Sequence, residues 1–299
     1  MRLSIQLCTY KRAHLVGRVL EALFDQTLPA DQYEVVLVND GSPDDTRAVV
    51  ERVRGLARCA FTYVEQPNGG LANARNTGIA RAHGERILFI DDDVLATPLL
   101  AAEHLASDAR HGDVIVRGAV INTARLDELP VPVWTVANYS GNYFWTTNVS
   151  VRRSRLDQVG GRFDESFREY GWEDIELGMR LRALGTKAVF NRFALAFHYK
   201  PRPKATNVEA MLRQVRAQAR TAVRLEELHP NWRVALAIGD TRPQRFLGDA
   251  LRKSGLVARL ENIVGTAGPD EPLGATKRAA AQLLASAAYY DELERAKRA

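Results

Sequence analysis

The stretch Arg86-Ile87-Leu88-Phe89-Ile90-Asp91-Asp92-Asp93-Val94 says most about the fold of this chain. Its apolar run predicts a buried strand, and three carboxylates follow directly. Because burying unpaired charge is costly, we expect the carboxylates at the exposed end of the strand. Mg²⁺ and Mn²⁺ prefer carboxylate oxygens, and Mg²⁺ often shares its shell with substrate phosphates. The stretch therefore indicates either a metal-bound phosphate ligand or, more simply, a turn or helix cap.

The residues before this stretch alternate between short apolar runs and helical patterns, which favours βαβ units and a mostly parallel sheet. The predicted strands are Leu3–Cys8, Glu34–Asn39, Phe61–Val64 and Arg86–Ile90. In such sheets ligands bind at the carboxyl ends of the strands. We therefore expect Thr9–Arg12, Asn39–Ser42 and Asp91–Asp93 to converge on one edge.

The second half of the chain has a different pattern. Further strands are predicted at Val114–Ile121, Trp145–Val151, Val189–Phe190 and Ala194–Phe197, and a helix from Glu173 to about Leu184. Lys200–Lys204 is typical of a linker, and from Val208 the pattern is mainly helical. The sequence thus predicts an α/β domain over residues 1–200 and a helical C-terminal extension over residues 201–299.

Composition limits the class of protein. The chain has 299 residues with only two cysteines, which fits a reducing, cytoplasmic location. It contains no apolar run long enough to span a membrane. Its N-terminal stretch is too short and too polar for a secretory signal. The formal net charge is +5. The excess of basic residues lies after position 200, which indicates either a solvated surface or an anionic partner.

Two loops near the predicted edge have both a functional and a structural interpretation. Asp40 would accept a hydrogen bond from a nucleotide base or simply form a turn. Arg75 follows Asn68-Gly69-Gly70 at the start of a predicted helix, where free N–H groups and a guanidinium suit a phosphate. A helix start with a surface arginine is an ordinary alternative.

Two later positions also carry possible chemistry. Glu173 and Asp174 begin a helix, either as simple capping residues or as a carboxylate pair in which Asp174 acts as a general base. Its neighbours Trp172 and Glu173 should raise its affinity for a proton. His198 follows an apolar run and is placed to point at the same edge as Asp93, although a lone histidine is usually not a ligand.

Taken in order, these motifs resemble those of the family 2 glycosyltransferases of the GT-A fold, over about residues 1–200. The motifs are Thr9-Tyr10-Lys11-Arg12, Val38-Asn39-Asp40-Gly41-Ser42, Asn68-Gly69-Gly70 through Ala74-Arg75-Asn76-Thr77-Gly78, Phe89-Ile90-Asp91-Asp92-Asp93, Gly160-Gly161-Arg162-Phe163-Asp164-Glu165 and Gly171-Trp172-Glu173-Asp174. The resemblance implies a nucleotide-binding half over residues 1–95 and an acceptor and catalytic half over residues 96–200.

The resemblance also implies roles for single residues. The nucleotide-sugar ligands it implies are Thr9, Tyr10, Arg12, Asp40, Arg75, Asp91 and Asp92, with Arg75 facing the diphosphate and Asp92 expected to matter least. Asp93 and His198 would hold Mn²⁺ or Mg²⁺. Asp174 would be the base of an inverting transfer, and Glu173 would orient the acceptor.

The implied activity is transfer of a sugar from a nucleoside-diphosphate sugar, with UDP as the expected carrier, to a saccharide or lipid-linked saccharide in glycan or polysaccharide biosynthesis. No nucleic acid is expected as a partner. A sugar-nucleotide pyrophosphorylase is the alternative enzyme, but it would need a glycine-rich loop after the first strand. A non-catalytic relic of the fold is a third possibility, and such a relic would be expected to lose Asp93 or Asp174.

The acceptor side is less defined. Aromatic residues that suit sugar rings precede the strand near position 148, and core packing is an equal alternative. They are Trp134, Tyr139, Tyr143, Phe144 and Trp145, with Asn138, Asn142 and Asn148 as amide partners. Of these, Trp145 and Asn148 are candidate acceptor ligands, together with Trp172 and Glu173.

The helix predicted from Val208 carries a stripe of arginines beside its apolar face. The stripe consists of Arg213, Arg216, Arg220 and Arg224. A docked helix with solvated arginines is one interpretation. The other is peripheral contact with anionic lipid headgroups or a lipid-diphosphate acceptor.

Overall fold

The computed structural model describes residues 1–136, 141–201, 203–246, 255–265 and 272–298. By the density of internal contacts the chain divides into two compact units. The first consists of Met1–Arg168 and Glu173–Pro201, and the second of Glu169–Trp172 and Arg202–Ala299.

The first unit is built on an eight-stranded mixed sheet with the order β3-β2-β1-β4-β7-β6-β8-β5. The strands are β1 (Leu3–Thr9), β2 (Tyr33–Asn39), β3 (Ala60–Glu65), β4 (Arg86–Ile90), β5 (Val94–Ala96), β6 (Val114–Thr123), β7 (Asn148–Arg152) and β8 (Lys187–Tyr199). Strands β3, β2, β1 and β4 run parallel, as does β6 with β8, whereas β7 runs antiparallel to both of its neighbours. The α/β class predicted from the sequence is therefore confirmed.

Helices supply apolar residues to both faces of this sheet. They are α1 (Ala13–Phe24), α2 (Thr46–Val53), α3 (Leu71–Arg81), α4 (Leu100–His111), α5 (Arg153–Gln158) and α6 (Glu173–Ala183). Val35 and Leu37 of β2 pack in the core that contains α1 and α4, whereas Val36 packs with α3 and α6. Successive side chains of a strand point to opposite faces. Both faces are thus covered, which explains why the strand sequences are almost continuously apolar.

Three local predictions needed correction. The aspartate triplet leads into a short strand, β5, which the sequence did not indicate. The strand predicted from Trp145 begins only at Asn148. The two short strands predicted around Val189 and Ala194 form one long strand, β8, in which the pairing register with β6 shifts after Gly118. Because of this shift, the residues around Arg192 do not pair with β6. These polar residues interrupt the apolar pattern of β8, so the sequence predicted two strands.

The second unit is mainly helical, as predicted. Its helices include α7 (Val208–Leu228), α8 (Trp232–Ala237) and the two later helices Leu256–Gly265 and Ala275–Arg298. Apolar side chains from α7 and both later helices, among them Val208, Leu260 and Leu284, form a core of their own. Within the described ranges, none of the chain's helices has both the length and the apolar composition needed to cross a bilayer.

Candidate functional site

The polar loops that follow β1, β2 and β4 meet at one edge of the sheet. The Asp40 N–H donates a hydrogen bond to the Thr9 carbonyl (3.0 Å), which ties the first loop to the second. An Arg12 guanidinium nitrogen lies 3.6 Å from Asp93 Oδ2, which ties the first loop to the aspartate triplet. The strand order explains this, since β1 lies between β2 and β4 and all three run in the same direction.

Asp93 and His198 are neighbours at this edge because β5 pairs with the end of β8, with Val94 opposite His198. His198 Nε2 lies 3.3 Å from Asp93 Oδ1. Burial opposes ionisation of Asp93, but His198, Arg12 and Lys200 more than offset it, so the pKa of Asp93 falls below its usual value. The pair is therefore a carboxylate beside an imidazole, a suitable combination for a divalent cation.

The donor set fits a cation that is completed by substrate. Across the ranges described, no three His, Cys, Asp or Glu side chains cluster as a self-sufficient metal site. Mg²⁺ commonly takes one or two carboxylates, with waters and substrate phosphates filling the rest of its shell. His198 Nδ1 is buried and has no hydrogen-bond partner among the described residues, so the ring is not committed through that atom. Asp93 and His198 are the residues that could hold Mn²⁺ or Mg²⁺ here.

Asp92 is more perturbed than the sequence led us to expect. Burial raises its pKa to about 7, and the charges of Asp93 and Asp91 add to this, while Thr9 and Arg12 act in the opposite direction. A carboxyl that keeps its proton near neutral pH reduces the repulsion within the triplet. Asp92 thus makes it easier for Asp93 to remain ionised.

Arg75 lies at the centre of a second cluster and is buried. Its guanidinium is 2.6 Å from Glu173 Oε1 and 3.4 Å from Asp91 Oδ1. It also donates to the hydroxyl of Thr146 (2.6 Å). A buried guanidinium requires such partners to offset its desolvation. In this structure Arg75 and Glu173 are paired with each other, and their roles towards a diphosphate and an acceptor stay predictions.

Asp174, the second residue of α6, lies beside this cluster and is partly buried. Its Oδ1 accepts a hydrogen bond from the Ile175 N–H (2.7 Å), and its Oδ2 accepts one from the Thr146 N–H (3.4 Å). Burial raises its pKa to about 7, the neighbouring charge of Glu173 adds to this, and Arg75 partly offsets both. A carboxylate that titrates near neutrality is suited to accept a proton from a hydroxyl.

Thr146 and Thr147 are site residues that we did not predict from the sequence. The Thr147 hydroxyl donates to Asp91 Oδ2 (2.8 Å), while Thr146 contacts both Arg75 and Asp174. The two threonines reach the site because β7 runs antiparallel to β4, with Asn148 opposite Ile90. The available signal was a pair of hydroxyl residues directly before a predicted strand, but the neighbour of that strand could not be read from the sequence.

The Asp40 carboxylate has the structural role that we considered for it. Its Oδ1 accepts from the Gln66 side chain (2.8 Å) and from the Gly69 N–H (2.9 Å), and its Oδ2 accepts from the Gly70 N–H (3.0 Å). Gly70 has a φ of 86°, which favours glycine at this position. Asp40 therefore shapes the turn that leads into α3. Tyr10 is the open aromatic ring of this edge, since 42% of its surface is exposed.

Asn148 is a core residue, which corrects its prediction as an acceptor ligand. Its Oδ1 lies 2.9 Å from His104 Nε2, and its amide nitrogen donates to the carbonyls of Ala119 (3.1 Å) and Ala194 (3.0 Å). Burial lowers the pKa of His104 to about 4, so the ring is neutral. This network joins α4, β6, β7 and β8 and leaves Asn148 no free polar atom for a ligand.

The aromatic residues before β7 divide between packing and the site. Phe144 is fully buried and packs edge-on against Phe89, so core packing explains it. The Trp145 ring lies 6.4 Å from the His198 ring, beside the candidate metal ligands. Asn138 and Tyr139 lie outside the described residues. Of the aromatic residues before β7, Trp145 is thus the candidate that lies beside the proposed metal ligands.

Trp172 belongs to the second unit, although it directly precedes Glu173 in the chain. Its indole N–H donates to the Gln218 carbonyl of α7 (2.8 Å), and its φ is 72°. A bulky residue in the left-handed region is unusual and indicates a constrained backbone. Its role as an acceptor platform stays a prediction.

Comparison with known proteins identifies the family of this chain. The model of the family described as glycosyl transferase family 2 matches residues 4–154. The chain belongs to glycosyltransferase family 2. The match covers β2, β3 and β4, all of β1 except its first residue, and the threonine pair before β7. Family membership also argues against the pyrophosphorylase alternative.

Two curated relatives illustrate the range of this family. The chain is 31% identical over 226 residues to validoxylamine A glucosyltransferase from Streptomyces hygroscopicus subsp. jinggangensis (strain 5008), which covers 64% of this chain and 53% of that protein. It is 32% identical over 117 residues to the poly(ribitol-phosphate) beta-N-acetylglucosaminyltransferase TarS from Staphylococcus aureus (strain Mu50 / ATCC 700699), which covers 39% of this chain and 20% of TarS. The chain thus spans about half of the first relative's length and a fifth of the second's.

Solved structures extend the likeness over the whole chain. The mannosyltransferase PcManGT from Pyrobaculum calidifontis, in complex with GDP-Man and Mn²⁺, matches with a TM-score of 0.60 at 20% identity and covers 99% of this chain and 86% of that one. Residues 1–349 of S. aureus TarS, in complex with UDP, match with a TM-score of 0.59 at 18% identity and cover 100% and 92%. At these identities the likeness is one of fold, and it confirms the GT-A prediction.

Proposed function

We propose that this family 2 member transfers a sugar from a nucleoside-diphosphate sugar to a hydroxyl of a saccharide or glycolipid acceptor, with inversion at the anomeric carbon. The observation that carries the proposal is Asp174. It is a partly buried carboxylate with a pKa of about 7, and it lies in the same cluster as Asp91 of the triplet. A base and a polar edge suited to phosphate are thus close together.

The chemical step uses Asp174 as the proton acceptor. The acceptor oxygen forms a bond to the anomeric carbon as its proton passes to an Asp174 carboxylate oxygen. The bond from the anomeric carbon to the diphosphate oxygen breaks in the same displacement. Attack from the face opposite the leaving group inverts the configuration. Ile175 and Thr146 support this role, because their N–H groups hold the carboxylate in place while leaving it lone pairs for the proton.

Asp93 and His198 would hold a divalent cation, Mn²⁺ or Mg²⁺. When bound, such a cation would neutralise the negative charge that develops on the departing nucleoside diphosphate. Arg12, 3.6 Å from Asp93, adds positive charge to the same edge without being buried. The structure of PcManGT in complex with Mn²⁺ supports this proposal.

For the donor we propose a UDP-linked sugar. TarS has been solved with UDP and with UDP-GlcNAc, whereas PcManGT has been solved with GDP-Man, so the fold accepts either carrier. The exposed ring of Tyr10 is suited to stack on a nucleotide base, and the buried Thr9 lies beside it at the end of β1. The proposal for UDP rests on these neighbours and is open to direct test.

A screen of UDP and GDP sugars with Mn²⁺ or Mg²⁺ tests the function, with release of the nucleoside diphosphate as the readout. We expect turnover with at least one UDP sugar, together with loss of turnover but retention of donor binding in Asp174→Asn. Asp157→Asn is the matched control, because that aspartate is exposed at the end of α5. Substantial transfer by Asp174→Asn would contradict the assignment of the base.

A further inference from the structure

Of the two interpretations of the arginine stripe on α7, the ion pairs of the structure favour a docked helix over an anionic partner. Three of its four arginines form ion pairs with carboxylates of the same unit. The pairs are Arg213 with Glu209, Arg220 with Glu169 and Glu292, and Arg224 with Glu227. Since each of these charges is already balanced, the stripe offers little attraction to an anionic partner.

A different part of the second unit combines exposed apolar and basic side chains. Residues 232–246, here called the Trp232 segment, consist of α8, a turn and a second short helical stretch. The turn folds the chain back, since the Asp240 N–H donates to the Ala235 carbonyl (2.7 Å) and the Gln244 amide donates to the Leu236 carbonyl (3.4 Å). The Tyr289 hydroxyl, from the C-terminal helix, donates to the Ile238 carbonyl (2.8 Å). The segment is therefore a defined part of the fold.

The Trp232 segment is apolar on two opposite sides. Val234 and Ile238 are buried in the unit, with exposures of 0% and 1%. Trp232 and Leu236 share the opposite side of α8, four residues apart, and are 69% and 52% exposed. Phe246, two residues beyond the Gln244 contact, is 77% exposed. A short helix with apolar side chains on two opposite sides normally has a second apolar environment to face.

The exposed charge of the Trp232 segment is positive. Its only acidic residue is Asp240, which is 2% exposed at the side chain and paired with Arg245 and Lys297. Arg233 lies over the Trp232 ring, 5.1 Å from its centroid, and Arg242 is exposed. The outer surface of the segment thus presents large apolar side chains with guanidinium groups beside them.

We propose that the Trp232 segment binds the surface of an anionic lipid bilayer. Tryptophan and phenylalanine beside arginine suit the interface, because the rings enter the headgroup region while the guanidinium groups meet lipid phosphates. Each arginine near an anionic surface adds attraction that salt weakens. A second copy of this chain is a less suitable partner, because the arginines of the two Trp232 segments would face and repel each other.

Flotation of the full chain with vesicles tests the proposal. We expect binding to vesicles that contain phosphatidylglycerol, weaker binding at high salt, and little binding to phosphatidylcholine alone. Trp232→Ser and Phe246→Ser should each weaken binding by about tenfold or more, since each removes a large apolar side chain that would be buried at the bilayer surface. Leu56→Ser is the matched control, because Leu56 is 56% exposed in the first unit and should leave binding unchanged.

Fluorescence locates the contact independently of affinity. Brominated lipid should quench part of the tryptophan emission in the wild-type chain, and that part should be absent in Trp232→Phe. Absence of binding to anionic vesicles, or binding that Trp232→Ser and Phe246→Ser leave intact, would overturn the proposal. So would a dimer in lipid-free solution that Phe246→Ser converts to monomer, because the surface would then belong to self-association.

Discussion

Replacing Glu173 with glutamine should shift the pH dependence of transfer towards acid. Glu173 Oε1 lies 2.6 Å from Arg75, and its charge adds to burial in raising the pKa of Asp174 to about 7. Glutamine keeps the shape and can still accept the hydrogen bond from Arg75. It removes a negative charge that repels the ionised Asp174 carboxylate and that also partly neutralises the Arg75 cation. Both consequences of losing this charge favour the ionised form of Asp174.

The size of the shift follows from the contacts. A charge within about 4–6 Å moves a carboxyl pKa by about 1–3 units. We expect the lower end, about one unit or 1.4 kcal/mol, because Arg75 bonds to Glu173, Asp91 and Thr146 and not to Asp174. A midpoint near pH 6 leaves about half of the base ionised at that pH, against about a tenth in the wild-type chain. The rate at pH 6 relative to pH 8 should therefore rise about fivefold.

The assay is initial rate against pH with saturating donor, compared as the ratio of pH 6 to pH 8 within each variant. The ratio cancels any uniform loss of activity in the variant. Glu176→Gln is the matched control, because Glu176 lies on the same helix, pairs with Arg180 (2.6 Å) and should leave the ratio unchanged. An unchanged ratio in Glu173→Gln, or a shift towards alkaline pH, would refute the reasoning.

Three further outcomes are expected. Asp174→Asn should abolish transfer, and its thermal stability relative to the wild-type chain should be greater at pH 8 than at pH 5. The reason is that the pKa of Asp174 is raised to about 7, so the wild-type chain loses the stabilising protonated form as pH rises through that value, whereas asparagine does not titrate. The same stability difference at pH 5 and pH 8 would contradict this. EDTA should stop turnover, and added Mn²⁺ should restore turnover in the wild-type chain but not in Asp93→Ala. Activity that withstands EDTA would exclude the metal proposal. Gly118→Ala should lower the free energy of unfolding, measured in urea, by about 1–3 kcal/mol, because the added Cβ would clash with the Asn148 amide nitrogen. A variant as stable as the wild-type chain would contradict the packing described for β6 and β7.

Local chemistry made the first half of the fold predictable. Apolar runs such as Ile87–Ile90 are long enough for strands and are separated by helical periodicity, so their burial and their parallel direction follow from the pattern. Polar residues at the strand ends then have to share an edge. The Asp91–Asp93 triplet could therefore be placed at a polar edge, and the family could be recognised, without knowledge of any contact.

Tertiary structure decided which charges meet. Arg75 pairs with Glu173 across 98 residues of sequence, and periodicity carries no information about such a pair. The insertion of β7 between β4 and β6 brings Thr147 to Asp91 and turns Asn148 into the core. A sequence shows which residues stand at the end of a strand. The partner of each buried charge depends on strand order and on the free energy of desolvation, and these are set only when the sheet is assembled.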